Sequence, residues 1–325
     1  MQVLRFARRI AVAIFATLLL ASTGQAANVF ISSTGNDANP CSITAPCRSL
    51  QKAVDVAVAG SNVIVLDTAG YGANVVIGKS VSIIAEGAVA SLLPGAGSAA
   101  VTVNGAGIVV TLRGLALNGQ GVGAHGMSIV NAAAVQIENC TIERFANNGI
   151  LLINNNAELF VADTISRDNA ADGLFVPGTG TTAKLTVVNS HFENNGDDGL
   201  DVEGIQSAVT RTVLSGNGGH GFELGGGSAN VTTTSAVANQ ASGYLVGIAG
   251  QMALERSVAR GNAASGLLVL AGAGNVGIAS NSVFTNNAVG LRNNGGGAVL
   301  RTRQNNTVSG NTTNTIGALT PLAGT

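Results

Sequence analysis

The chain has 325 residues, of which 45 are Gly and 32 are Asn, while 3% are aromatic, 10% are charged and the formal net charge is −1. At 46% hydrophobic residues it is too apolar for a disordered chain, it is too poor in charge for a coiled coil, and it lacks the basic excess that binds nucleic acid. The abundance of Gly and Asn beside Val, Ile, Leu and Ala predicts short β-strands separated by tight turns.

The first 26 residues have the pattern of a secretory signal peptide. Arg5, Arg8 and Arg9 precede an apolar run from Ile10 to Leu20, and a small-x-small cleavage site ends at Ala26. The apolar run is shorter than the ~20 residues that span a bilayer. We therefore expect a secreted or periplasmic protein with no membrane span once the signal is removed.

The cysteines fit an oxidising compartment. Cys41 and Cys47 flank the segment SITAP and are close enough in sequence to form a disulfide, which such a compartment would preserve. Cys140 has no cysteine nearby and is expected to be a buried, small apolar residue.

A short helix is predicted after this disulfide loop. The segment SLQKAVDVA, residues 49–57, places four apolar residues on one helical face, namely Leu50, Ala53, Val54 and Ala57. Residues 27–61 are therefore predicted to form an N-terminal cap over the open end of a β-structure, where an exposed sheet edge would promote aggregation. The C-terminal segment TIGALTPLAGT, residues 315–325, is predicted to cover the opposite end.

A repeat of about 23 residues organises the chain from Val101 onward. Each unit contains Gly, an apolar residue, any residue and usually another apolar residue. The repeat glycines are Gly126, Gly149, Gly173, Gly199, Gly221, Gly243, Gly266 and Gly290. An Asn stands four residues before the glycine at Asn169, Asn195, Asn217, Asn239, Asn262 and Asn286, and Asn311 is expected to continue this series. A regular period of this length is the mark of a solenoid.

The contents of the repeat decide between solenoids. Each unit holds two or three runs of four to six residues with period-2 alternation and no helical stripe, which excludes ankyrin, tetratricopeptide and HEAT arrays. We predict an all-β fold, a right-handed parallel β-helix over residues 62–325 with ~23 residues per coil and a short N-terminal capping helix. Gly is expected to supply a left-handed or tight backbone at one corner, and stacked Asn to hydrogen-bond from coil to coil.

These features together resemble the pectin lyase-like superfamily of secreted right-handed β-helix proteins. The resemblance extends over the cap, the strand segments NVIVL, ANVVI and SVSIIAEG, and the repeated coils. It implies the β-helix fold, whereas the activities of that superfamily are diverse and include polysaccharide lyases, hydrolases, epimerases and adhesins.

One group of polar residues stands out in the coils around Gly199 and Gly221. Asp172, Asp198 and His220 each directly precede a repeat glycine and are expected to stack in one column. Asp201 and Glu223 each lie two residues after such a glycine and are expected to stack in a second column on the outward face of a strand. The sequence thus predicts a ladder of acids and one His on one side of the solenoid.

This group is similar to the signature of polygalacturonases, which has an Asp in one coil, an Asp-Asp pair in the next and Gly-His-Gly in the one after. The resemblance matches Asp172 to the first Asp, Asp197 and Asp198 to the pair, and His220 to the histidine. It implies general acid and base roles for the aspartates in glycosidic cleavage. Asp201, Glu223 and Arg256 are the candidates for substrate binding, although the family's Arg-x-Lys pair is absent and only Arg256 and Arg260 follow at the corresponding distance.

Three functions remain open at this point, and so does the question whether the protein is an enzyme. The first is a polysaccharide-binding glycoside hydrolase with no cofactor and no metal, acting on a polysaccharide or cell-surface glycan. The second is a non-catalytic, adhesin-like surface solenoid, in which Asp and His before the glycine serve only to form left-handed or side-chain turns. The third is a polysaccharide lyase with Ca²⁺ as cofactor, bound by Asp172, Asp198 and Asp201. In that lyase Arg167 or Arg211 would be the base.

Aromatic residues bear on glycan binding as well. Phe222 and Tyr244 directly follow a repeat glycine and are expected to point inward, whereas Phe175, two residues after its glycine, is expected to be exposed. The scarcity of aromatic residues argues against a lectin-like groove lined by sugar-stacking rings.

Overall fold

The computed structural model describes residues 27–153, 156–178 and 182–322. The signal peptide predicted for residues 1–26 lies outside this part of the chain, so export stays a prediction. The described chain winds through three parallel β-sheets and contains one short helix. The predicted all-β parallel solenoid with a short N-terminal helix is therefore confirmed.

The first elements build the N-terminal end and the first coils. They are β1 (Asn28–Ile31), α1 (Leu50–Val56), β2 (Ser61–Val65), β3 (Ala69–Gly70), β4 (Val75–Ile77), β5 (Val81–Ile84), β6 (Ala90–Leu92), β7 (Val101–Asn104), β8 (Val109–Arg113) and β9 (Leu115–Asn118).

The repeated coils follow, with three strands in each complete coil. They are β10 (Met127–Asn131), β11 (Ala134–Glu138), β12 (Thr141–Glu143), β13 (Ile150–Leu152), β14 (Glu158–Ala162), β15 (Ile165–Arg167), β16 (Leu174–Val176), β17 (Lys184–Val188), β18 (His191–Glu193), β19 (Leu200–Glu203), β20 (Gln206–Thr210), β21 (Val213–Ser215), β22 (Phe222–Gly225), β23 (Ser228–Thr232), β24 (Ser235–Val237), β25 (Tyr244–Gly247), β26 (Gln251–Glu255), β27 (Val258–Arg260), β28 (Ser265–Val269), β29 (Val276–Ser280), β30 (Val283–Thr285), β31 (Val289–Asn293), β32 (Val299–Thr302), β33 (Thr307–Ser309), β34 (Thr313–Ile316) and β35 (Leu319–Pro321).

The three sheets run along the solenoid, and every strand pairs with its equivalent in the next coil. Sheet 1 has 13 strands in the order β1-β2-β5-β8 and then every third strand to β35. Sheet 2 has 11 strands and runs from β3 to β33, and sheet 3 has 11 strands and runs from β4 to β34. Each coil passes from sheet 1 to sheet 2, then to sheet 3, and returns to sheet 1 in the next coil.

The core consists of ladders of equivalent apolar residues. In sheet 3 the residue after the repeat glycine pairs in register from coil to coil, as in Leu200 with Phe222 and Phe222 with Tyr244. Phe222 and Tyr244 are fully buried, as predicted. Since a buried aliphatic or aromatic side chain contributes about 1.5–3 kcal/mol, many small contacts between neighbouring coils stabilise the fold without tryptophan.

The predicted asparagine ladder is present, with one change of register. Side-chain Nδ2 of Asn217 donates to Oδ1 of Asn239 at 2.9 Å, and the same bond repeats from Asn169 through Asn262. The ladder continues from Asn262 to Asn287 at 2.9 Å and on to Asn311, not through Asn286 as the four-residue spacing predicted. Asn286 is exposed and has a left-handed backbone with φ 56°, because this turn is one residue shorter between the ladder and the glycine.

The repeat glycines are required for close approach of two coils, so of the two predicted alternatives, a left-handed or a tight backbone, the left-handed one does not occur there. Gly199 is not among the residues with positive φ. A Cβ atom at this position would lie 2.7 Å from the carbonyl oxygen of Gly221 and 2.9 Å from the Nδ2 atom of Asn217. Any side chain would therefore push the next coil away.

The short helix predicted near the N-terminus is present, whereas a cap formed by residues 27–61 stays a prediction. Ser49 accepts a hydrogen bond from the backbone N–H of Lys52 at 3.3 Å and so caps the N-terminus of α1. The four apolar residues of the predicted face are buried, namely Leu50, Ala53, Val54 and Ala57. Cys41 and Cys47 form the predicted disulfide, and β1 pairs with β2, so the capping segment also contributes the first strand of sheet 1.

The C-terminal segment has a different role from the predicted one. Its strands β34 and β35 pair with β31 and β32, so residues 313–321 form a coil of the solenoid and do not cover it. Within the described residues, no helix is long and apolar enough to cross a membrane.

Candidate functional site

One residue of each coil lies directly before the repeat glycine, in the turn from sheet 2 to sheet 3, and these residues stack. We call this stack the pre-glycine column, and its members are Asn148, Asp172, Asp198, His220 and Ser242. The backbone N–H of Asp198 donates to Oδ1 of Asp172 at 3.0 Å, and that of His220 donates to Oδ1 of Asp198. The predicted stacking is therefore confirmed, whereas the catalytic role of these residues stays a prediction.

The hydrogen bonds give a structural reason for the residue types in this column. Each side chain accepts the backbone N–H of the equivalent residue in the next coil, and the amide Oδ1 of Asn148 does so for Asp172 at 3.1 Å. Left-handed backbone was the alternative explanation, but Asn148, Asp172, Asp198 and His220 have no positive φ. Acceptor capacity is the property that Asn, Asp, His and Ser share here.

The second predicted column lies on the outward face of sheet 3. Asp201 pairs in register with Phe175 on one side and with Glu223 on the other. All three side chains are half-buried, so Phe175 is less exposed than predicted. The Asp201 carboxyl forms no hydrogen bond with any described residue, which leaves it available to a ligand.

Two further carboxylates complete the acidic site. Asp197 is exposed, and its carboxylate has an oxygen within 4.8 Å of oxygens of Asp172 and Asp198. Glu203 is half-buried at the end of β19, and its Oε2 atom accepts the backbone N–H of Gly178 at 2.8 Å. Sequence reasoning missed Glu203, which the alternation of strand residues could have placed on the same face as Asp201.

Three acids of this site, Asp172, Asp198 and Asp201, hold their protons more tightly than usual. Burial, followed by the negative charges of Asp172 and Glu223, raises the pKa of Asp201 to about 8. Burial and the charges of Asp197 and Glu223 raise the pKa of Asp172 to about 6.

Burial also raises the pKa of Asp198, which is 4% exposed. The charges that contribute most to raising the pKa of Asp172, Asp198 and Asp201 are those of other carboxylates. Carboxyl groups beside one another therefore differ in proton affinity, as general acid and base catalysis requires.

His220 is held in one tautomer by the next coil. Its Nδ1 atom accepts the backbone N–H of Ser242 at 3.1 Å, so the ring proton is on Nε2. Nε2 lies 3.8 Å from Oε2 of Glu223, and burial lowers the pKa of His220. The neutral ring is thus a hydrogen-bond donor on the Glu223 side of the acidic site.

The basic residues singled out from the sequence lie elsewhere. Arg256 follows β26 in the turn from sheet 1 to sheet 2, with φ 50°, whereas the acids lie in the turn from sheet 2 to sheet 3 and on sheet 3 itself. Arg211 lies at the same turn as Arg256 and donates to Oδ1 of Asn189 at 2.6 Å. Arg167 is bound by Glu143 at 2.8 Å. Arg256 is therefore not brought together with Asp201 and Glu223 as a substrate-binding group.

Cys140 matches its expected role. It is the free cysteine of the described chain, is buried, and has a pKa that burial raises to about 12. A thiol with this proton affinity is not a nucleophile.

The acidic site makes stability depend on pH. The pKa of Asp201 is about 8 in the folded protein, against about 3.9 for an unperturbed aspartate, so between these pH values the folded state holds a proton that the unfolded chain releases. This contribution to stability is complete below about pH 4 and is lost as the pH rises through about 8.

We therefore expect a lower free energy of unfolding at pH 8 than at pH 5. Asp201→Asn should reduce that difference, and urea unfolding of the two proteins at both pH values measures it. The exposed Asp163, replaced by Asn, is the control and should leave the pH dependence as in the wild type. An equal pH dependence in all three proteins would contradict the raised proton affinity of Asp201.

Comparison with known proteins identifies the family to which this fold belongs. The family model described as "Right handed beta helix region" matches residues 55–212 and 172–318. No curated protein sequence matches the chain.

Several solved structures are similar to the chain. Pectate lyase Pel9A has 18% identity and a TM-score of 0.60, with 90% of this chain and 78% of that chain covered. The A-module of Azotobacter vinelandii mannuronan C-5 epimerase AlgE4 has 14% identity and a TM-score of 0.57, with 81% and 91% covered. A rhamnogalacturonan lyase has 15% identity and a TM-score of 0.57, with 79% and 81% covered.

At these identities the similarity shows the fold alone. The family match, the strand register and the parallel sheets agree with one another. The chain belongs to the right-handed β-helix family.

Proposed function

We propose that the protein is a polysaccharide-acting enzyme that cleaves glycosidic bonds by general acid catalysis at Asp201. The observation that carries the proposal is a carboxyl on the outward face of sheet 3 with a pKa raised to about 8 and no hydrogen-bond partner among the described residues. A protonated carboxyl near neutral pH is what donation to a glycosidic oxygen requires. The polysaccharide-acting enzymes among the structural neighbours are consistent with a glycan substrate.

The other acids support this role. Asp172 and Asp198 accept backbone N–H groups and are 7% and 4% exposed, so they position the turn, and the charge of Asp172 raises the pKa of Asp201. Exposed Asp197 is the carboxylate best placed to activate water. This assignment moves the acid from the pre-glycine column, where the sequence resemblance put it, to the outward column.

A calcium-dependent lyase is a second candidate, and one observation favours it. Asp172, Asp197 and Asp198 each offer an oxygen within 4.8 Å of the others, a donor set that suits a hard cation such as Ca²⁺. This set includes Asp197, where the sequence suggested Asp201. The residues thus fit a cation, which would supply charge for binding an anionic sugar, but Arg167 and Arg211 are engaged by Glu143 and Asn189 and neither lies in the acidic site.

The products of polysaccharide cleavage test the proposal. The purified protein is incubated with glucan, xylan, galactomannan, polygalacturonate and alginate, with Ca²⁺ or with a chelator. We expect new reducing ends without unsaturated sugars, and equal rates in both conditions. Unsaturated product that depends on Ca²⁺ would favour the lyase, and no product from any polymer would favour the non-catalytic solenoid.

A further inference from the structure

The outward face of sheet 1 contains a long groove, which lies on a different side of the solenoid from the acidic site. Three hollows of about 370, 330 and 280 Å³ lie along it, and a fourth of about 460 Å³ lies at its edge, where the turns from sheet 3 enter sheet 1. Neighbouring hollows share Lys184, Thr186, Gln206, Ser228 or Asn230. We call this surface the sheet 1 groove, and it extends from β11 to β32 across eight parallel strands.

The groove exists because small side chains recur on the outward face. Ala208 pairs in register with Asn230, which in turn pairs with Ala253, so longer and shorter side chains alternate along one column. Ser228 lies in the adjacent column between Gln206 and Gln251. The hollows lie beside the short residues, and the longer amides form their walls.

The groove is lined by uncharged polar groups and by apolar ones such as Phe160, Val276 and Ile278, with few charges. Gln206, Asn230 and Gln251 are exposed, and their side chains form no hydrogen bond with any described residue. Lys184 is paired with Glu158 at 3.1 Å, which leaves Arg301 at the far end as the other charged lining residue. This lining matches hydroxyl groups, which both donate and accept hydrogen bonds, and gives little attraction for a polyanion or polycation.

The geometry also suits a polymer. Equivalent residues recur every ~4.8 Å along the solenoid, so the groove offers similar contacts in successive coils. This spacing is close to the length of one sugar unit in an extended glycan chain. We propose that the sheet 1 groove binds an extended segment of an uncharged polysaccharide, with its chain crossing the strands along the solenoid axis.

Such a site is separate from the catalytic proposal. It lies on sheet 1, whereas Asp201 and Glu223 lie on sheet 3, so binding in the groove would anchor the protein to a polymer without occupying the acidic site. The proposed binding in the sheet 1 groove therefore does not depend on whether the protein is an enzyme.

Affinity electrophoresis through gels containing β-glucan, xyloglucan or galactomannan tests the groove. All proteins carry Asp201→Asn, so that cleavage cannot obscure binding. We expect at least one of these uncharged polymers to retard the parent protein, with little change at high salt, because screening acts on charges. The triple variant Gln206→Ala, Asn230→Ala, Gln251→Ala should bind about tenfold more weakly because three hydrogen-bonding groups are lost.

A second variant and a control keep the test decisive. Ala208→Arg fills a hollow without removing an amide and should also weaken binding about tenfold, and Asn74→Ala, an exposed amide outside the groove, should leave it unchanged. Far-UV circular dichroism and urea midpoints verify that all variants fold.

Three outcomes would overturn the proposal. The first is the absence of retardation by every uncharged polymer, and the second is binding that both groove variants retain. The third is a concentration-dependent dimer in sedimentation that the groove variants abolish, since the groove would then be an interface between two copies of the chain.

Discussion

Asp201→Asn is expected to lower kcat/KM for polysaccharide cleavage by about 10²–10⁴-fold, the usual contribution of a general acid. Asn has nearly the shape of Asp but no proton of the required acidity to donate. The fold should be retained, because the Asp201 carboxyl is half-buried on the outward face and forms no hydrogen bond with the described residues. Reducing-end release from the polymer that the wild type cleaves best measures the effect.

The pH dependence of the rate distinguishes a catalytic role from a structural one. Because the acid must be protonated, wild-type activity should fall as the pH rises through about 8, the pKa of Asp201. The charge of Asp172 is the largest electrostatic contribution that raises this pKa after burial. Asp172→Asn should therefore move the decline in activity to lower pH. The amide oxygen of the new side chain can still accept the N–H of Asp198, as the amide oxygen of Asn148 accepts that of Asp172.

Asp163→Asn is the matched control for both substitutions. Asp163 is exposed, has φ 50° and lies in the turn from sheet 1 to sheet 2, where Asn occurs at the equivalent Asn189 and Asn139. It should leave rate and pH profile unchanged. Full activity in Asp201→Asn, or an unshifted profile in Asp172→Asn, would remove Asp201 from the role of general acid.

Much of the fold could be predicted because a solenoid repeats its constraints. The apolar residue after each glycine must point inward in every coil, so Phe222 and Tyr244 could be placed in the core from their spacing alone. The same argument placed Asp201 beside Glu223, because parallel strands in register bring equivalent residues side by side. Periodicity therefore predicts which residues are neighbours even at a functional site.

Chemical roles were harder to predict, because they depend on hydrogen bonds and burial that spacing does not encode. Asp198 and Asp201 are three residues apart, yet Asp198 is buried and accepts the His220 N–H, whereas Asp201 faces outward. Arg256 follows the acidic coils at the number of residues where the resembled pattern has a substrate-binding Arg. However, a coil has three corners, and the number of residues does not say at which corner a residue lies. The sheet 1 groove could not be found from the sequence because it depends on how small and long side chains align between coils.

The ladder contains Asn287, whereas the four-residue spacing before the glycine predicted Asn286. Residue spacing alone therefore does not determine which Asn enters the ladder. Both stand near the expected distance from Gly290, and only the lengths of the individual turns decide which one enters the ladder. Asn287 is 3% exposed and accepts the backbone N–H of Asn262 at 3.0 Å and its Nδ2 at 2.9 Å. Its own Nδ2 donates to the carbonyl of Ala259 at 3.0 Å and to Oδ1 of Asn311 at 3.1 Å.

Asn287→Ala is therefore expected to lower the free energy of unfolding by about 2–5 kcal/mol, because the buried backbone N–H and one side-chain N–H of Asn262 lose their acceptor, at about 1–3 kcal/mol each. Urea unfolding measures the loss. Because each coil of a solenoid contacts only its neighbours, hydrogen exchange at the Asn262 amide should show the same loss locally.

The adjacent residue provides the control. Gly261 and Gly310 occupy the position of Asn286 in the two neighbouring coils, and all three have a left-handed backbone. Asn286→Gly should therefore change stability by less than about 0.5 kcal/mol, because Gly adopts this conformation readily. A larger loss of unfolding free energy for Asn286→Gly than for Asn287→Ala would indicate that Asn286 is the ladder residue, as the spacing predicted. It would contradict the hydrogen bonds that place Asn287 in the ladder.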